Sequence, residues 1–89
     1  MKIVFKTLSL DQQKHFIEVG EKVRLAKQDF INCIPAETET KRAALEKVWK
    51  EFISGTVEKI DGADASDIQN IDMGEVLVSF FAKVLIVMT

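Results

Sequence analysis

The chain has 89 residues, 47% of them hydrophobic, with 12 Lys/Arg against 14 Asp/Glu and a formal net charge of -2. That suffices for one small domain, residues 1–89, with a core near the lower limit for independent stability, and it excludes a globally basic nucleic-acid surface. The single cysteine, Cys33, permits no internal disulfide and suits a reducing cytosol.

In chain order, Lys2 to Lys6 alternates, Ile3 and Phe5 against Val4, and predicts a short strand or extended arm. The opening MKIVFKTLSL has neither a sustained apolar core nor a small-residue cleavage site, so no signal peptide is expected and the cytoplasm is the expected location. Ser9 with Gln12 forms a capping-box pattern, and Asp11 favours the positive end of a helix dipole. The first helix is expected from about Leu10 to Cys33. Phe16, Val19, Val23, Ala26, Phe30 and Ile34 recur every three or four residues as its core stripe. Ile17, Arg24 and Ile31 form a second, heptad-spaced line, which suggests self-association. Pro35, the only proline, disfavours helical geometry at Ile34 and ends this helix.

A second helix is expected from near Thr38, with Glu37 and Glu39 at its N-terminal dipole and Lys59 at its C-terminal one. Leu45, Val48, Trp49, Phe52, Ile53, Thr56 and Ile60 lie on one side. Gly55 within it marks a kink or the close approach of another backbone. The short link makes the two helices antiparallel neighbours.

Asp61 to Asp67 is an acidic turn or loop. Ala63 and Ala65 stand where an EF-hand needs oxygen ligands, and no Glu closes the loop. Ser66 with Gln69 repeats the capping-box pattern and predicts a short third helix through Ile68 and Ile71. The tail, Val76 to Met88, fits two templates. As a helix it aligns Leu77, Phe80, Phe81, Val84, Leu85 and Met88. As a strand it aligns Val76, Val78, Phe80, Ala82, Val84, Ile86 and Met88, and its β-branched content tilts toward strand at the ends. Thirteen residues with Lys83 inside are too few to span a bilayer as a helix. The tail is expected to complete the core, with part of it at an interface. The fold class is therefore mainly α: an antiparallel two-helix hairpin with a short N-terminal extended arm and an apolar C-terminal segment, short helix or strand.

No catalytic constellation accompanies this pattern. His15, the only histidine, has no second ligand at metal spacing, and Cys33 stands five turns from it on the same helix. No glycine loop cradles phosphate, and no cofactor is expected. The chain reads as a binding protein rather than an enzyme. Residues 1–59 carry 11 Lys/Arg against 9 Asp/Glu, whereas Lys83 alone faces five carboxylates beyond, so an anion would find partners in the first two thirds. Lys22 and Arg24 flank the first core stripe, Lys41 and Lys59 project near the edges of the second, and Phe5 sits on the arm. Rim cations and an aromatic suit a phosphate and a base. The plainer alternative, cations snorkelling around a core, is ahead on the residues alone.

The run of the first helix into Ile34-Pro35 and then ETETKRAALEKVWKEF resembles the phage anti-CBASS cyclic-nucleotide sponge family. Its members share a helix ending in Cys-Pro, an acidic turn, then an Ala- and Leu-rich helix with a Leu-Glu pair and a Trp. Ile34-Pro35 stands at the Cys-Pro, Cys33 one place early, and Leu45-Glu46 and Trp49 near the rest. The likeness covers roughly residues 15–60. It implies a homo-oligomer, a hexamer in that family, that sequesters cyclic di- and trinucleotides without cleaving them and so counters bacterial CBASS immunity. It implies Phe5, where the family usually carries Tyr, as the base-stacking aromatic and Lys22 as a phosphate partner, with Arg24 and Lys59 for a separate trinucleotide site. It implies neither DNA nor a membrane as partner. The competing expectation is a small structural or assembly adaptor that docks on a larger protein through its apolar C-terminal segment.

Overall fold

The computed structural model describes residues 2–62, 64–65 and 67–88, with side chains through Val84. The order is β1 (Ile3–Phe5), α1 (Leu10–Asn32), a 3-10 turn (Pro35–Glu37), α2 (Thr38–Thr56), β2 (Val57–Ile60) and α3 (Met73–Met88). Ala63 and Ser66, on which the EF-hand comparison and the second capping box partly rest, lie outside the described residues.

Ser9 opens α1 with a complete capping box. Its hydroxyl accepts the Gln12 amide at 3.2 Å, and its own amide donates to Gln12 Oε1 at 2.9 Å. Cys33 is extended and caps the helix, and Ile34 is extended before Pro35. The 3-10 turn then reverses the chain directly into α2. The two helices form the expected antiparallel hairpin, and Phe16 near the start of α1 lies against Gly55 near the end of α2.

Val19 and Val23 of α1 meet Leu45, Trp49, Phe52 and Ile53 of α2 in one buried cluster. Phe16, Ala26 and Phe30 are half-buried against it. Ile34, expected at the end of that stripe, is 60% exposed, because the chain leaves the helix before reaching it. Gly55 admits an aromatic ring rather than a backbone. A Cβ there would stand 1.9 Å from Phe16 Cζ.

After Thr56, whose hydroxyl donates to the Phe52 carbonyl at 2.7 Å, the chain turns extended. β2 pairs antiparallel with β1, Ile3 opposite Ile60, Val4 opposite Lys59 and Phe5 opposite Val57. Glu58 is the extra residue of a bulge at the irregular step. Ile60 and Lys59, expected as a helical flank and a helix C-terminal charge, are strand residues instead. The arm gives β2 a pairing partner, which a lone helical end would lack. The third helix expected through Ile68 and Ile71 is a set of turns, in which Asp67 accepts from the Gln69 amide at 3.1 Å and from Asn70 Nδ2 at 2.7 Å.

The tail is α3, not a strand. Asp72 Oδ1 accepts the Glu75 amide at 3.0 Å at its start, and Met73, Val76, Leu77, Phe80 and Val84 are buried. Val78, which a strand face would have buried, is 68% exposed. A helix satisfies its own backbone and lays this three-and-four spacing into the space the hairpin leaves open. Leu85, Ile86 and Met88 lie outside the described side chains. α3 packs against α1 at Gly20, where a Cβ would stand 2.9 Å from Phe81 Cζ.

Candidate functional site

The N-terminal arm brings Phe5 against α3. Its ring lies 5.9 Å from that of Phe80, centroid to centroid, and Lys83 Nζ stands 5.5 Å from the Phe5 centroid. These residues with Lys6, Gln13 and Val84 line a cleft of about 290 Å³ between the arm, the start of α1 and α3. Phe80 in turn meets Phe52 edge-on at 5.2 Å, so the cleft floor continues into the core. Lys6 Nζ donates to the Ser54 carbonyl at 2.6 Å and so complements the negative end of α2. Lys83 is the cation that stands over the ring. Gln13 Nε2 donates to the Leu8 carbonyl at 3.1 Å, while its Oε1 is buried without a partner.

The other expected site residues stand elsewhere. Lys22 is exposed on α1, immediately before buried Val23. Arg24 is exposed, and its guanidinium donates twice to Glu21 Oε2, at 2.9 and 3.1 Å. That hydrogen bond, with the attraction of the same carboxylate, raises the Arg24 pKa above its ordinary value. Lys59 is exposed on β2, 3.9 Å from Asp61 Oδ1. Neither Lys22, Arg24 nor Lys59 lines the Phe5 cleft.

The Ile17–Arg24–Ile31 line divides. Ile17 is covered by α3 near Phe81 and Val84, while Arg24 and Ile31 remain exposed. A flank that reads as a subunit seam in the sequence is therefore partly internal.

Two cationic features were missed. Lys83 reads as an interruption of an apolar run, and only the fold of the arm onto α3 places it over Phe5. Lys27 and Arg42 line a second cleft of about 400 Å³, and their joint position depends on the hairpin register. A single charge inside the apolar run Val76–Met88 was the available signal for the first. No local signal marks the second.

His15 is exposed with its ring edge-on to Phe16, and the half-buried Cys33 thiol donates to the Phe30 carbonyl. Among the described residues no group of three or more His, Cys, Asp or Glu is placed to hold a metal, and no helix is long and apolar enough to cross a membrane. Comparison with protein-family models, curated proteins and solved structures found no match.

Proposed function

We propose that this protein binds cyclic di- and trinucleotides and sequesters them intact in the bacterial cytosol, as a homo-oligomer that blunts CBASS signalling. The observation that supports this reading is the Phe5–Lys83 arrangement: an aromatic face, a cation over it and an unpartnered amide oxygen at one cleft. An aromatic stacks on a base, an ammonium attracts a phosphate, and a buried carbonyl accepts from an exocyclic amine. The cleft volume lies at the low end of ligand-sized sites, roughly 300–1,000 Å³. It fits about one nucleotide unit, so the remainder of a cyclic ligand needs cover from a second subunit. Lys22, exposed on α1, is the phosphate partner assigned to that second subunit, and Arg24 and Lys59 are assigned to a separate trinucleotide contact. Sequestration needs no general base, and the reading is non-enzymatic.

The adaptor alternative gains less from the structure. The face of α3 it would use is spent largely on the protein's own core.

Calorimetric titration with a panel of cyclic di- and trinucleotides, followed by chromatography of the recovered ligand, tests the proposal. Tight binding with intact ligand is expected. Phe5→Leu, which keeps apolar packing but removes the ring, should weaken binding about tenfold or more, consistent with about 1–3 kcal/mol per stacked base. Lys83→Gln and Lys22→Gln should each weaken it as well. Silence across the panel, or a cleaved ligand, rejects the reading.

A further inference from the structure

We propose that the cleft between α1, α2 and the start of α3 is a second ligand site, specific for a phosphate-class oxyanion carried on an apolar or aromatic body. Arg42 carries the inference. Its Nε is buried without a hydrogen-bond partner, and the guanidinium makes no ion pair among the described residues. An uncompensated N–H donor of a charged group is costly to keep covered, and native structures rarely leave one unexplained. Lys27 lines the same cleft, and its Nζ stands 3.9 Å from where a Cβ on Gly74 would be, beside the first turn of α3. Two cations therefore line one cleft beside the start of α3, where the Asp72 carboxylate also lies, 3.4 Å from that same position.

The one carboxylate lining the cleft is Asp72, and its Oδ1 already accepts the Glu75 amide. Lys27 and Arg42 outnumber that carboxylate along the lining, so the cleft keeps a net positive charge. Around it Phe30, Leu45 and Met73 supply an apolar wall. With a small displacement of the groups that cover Nε, a phosphate monoester would take Nε–H and an Nη–H together, a bidentate geometry that suits arginine, with Lys27 on the remaining oxygens. The body attached to the phosphate would lie on the wall. This site is separate from the Phe5 cleft and does not rest on the function proposed for it.

Arginine Nε–H groups give their own signals in amide-correlation NMR, and Arg24 and Arg42 are the only arginines. The full chain is titrated at constant ionic strength with phenyl phosphate, inorganic phosphate and benzoate. The expected result is a saturable shift of the Arg42 Nε–H, tightest with phenyl phosphate, with the Arg24 signal unmoved. Lys27→Gln, which leaves the core intact, should weaken binding about tenfold, as should Arg42→Lys, which keeps the charge but loses the fork. Phe5→Leu should leave it unchanged. The site is overturned if the shift does not saturate, if Arg24 moves equally, if benzoate binds as tightly, or if Lys27→Gln has no effect.

Discussion

Gly55 shows how one missing Cβ sets the approach of the two long helices. Alanine is the better helix former by about 1 kcal/mol, so an isolated α2 would gain from Gly55→Ala. In the fold the new methyl meets the Phe16 ring, with Cζ at 1.9 Å and both flanking carbons under 3 Å. Overpacking of that kind costs typically about 1–3 kcal/mol, and it should win. Urea denaturation of Gly55→Ala is expected to show net destabilisation, and adding Phe16→Ala should cancel part of it, because the two changes share one contact. At the same scale, Asp67 titrates below the ordinary carboxylate range because Asn70 and the Gln69 amide donate to its charged form. Its folded pKa is depressed, so the stability it contributes is fully present above the unfolded carboxylate pKa of about 3.9 and is lost as pH falls through the folded value. Replacing Asn70 by Ala should move the Asp67 titration upward, readable from its carboxyl carbon by NMR. A titration that stays in place would show that Asn70 is not the main cause.

Among the elements, the hairpin was legible and the ends were not. The Ser9–Gln12 box, the stripe from Phe16 to Phe30 and the break at Pro35 act through neighbours within one helical turn, so they read directly from the sequence. The segment from Val57 to Ile60 continues the apolar spacing of α2 yet leaves the helix, since its strand partner lies more than fifty residues earlier in the chain. The tail fits both helix and strand templates, with β-branched content tilting its ends toward strand, and burial decides for helix. Its packing leads to a strong expectation. Phe80 is 2% exposed and touches the rings of Phe5, Phe52 and Phe81. Phe80→Ala should cost about 3–5 kcal/mol. Thermal unfolding monitored at Trp49, buried and donating to the Ala65 carbonyl at 2.7 Å, should fall sharply or vanish. A small change would mean that α3 is peripheral, as the adaptor alternative requires.

For the molecule as a whole, a chain of this length has a total stability of roughly 4–13 kcal/mol, so the loss of one ring in α3 is comparable with the total. The acidic last third contributes no strong anion site by charge count, yet α3 delivers Lys83 to the Phe5 cleft and its first turn to the Lys27–Arg42 cleft. Charge summed along the sequence misses this, because each cleft combines residues from segments far apart in the chain. The exposed Ile31, Ile34 and Val78 mark apolar surface left over after the core closes. Subunit cover over the Phe5 cleft belongs to the proposed oligomer, and sizing by light scattering with and without cyclic dinucleotide measures it.

By itself the sequence determined the mainly helical class, the capped first helix, the turn at Pro35 and the antiparallel pairing of α1 with α2. Each depends on local propensity and on a periodicity that repeats within the element. The tertiary structure alone decided that the tail is a helix, that Ile60 and Lys59 belong to a strand, and that Phe5 meets Lys83 while Lys22, Arg24 and Lys59 stand outside that cleft. Those outcomes depend on contacts between distant segments, where burial and backbone pairing outweigh any preference that a short stretch of residues carries.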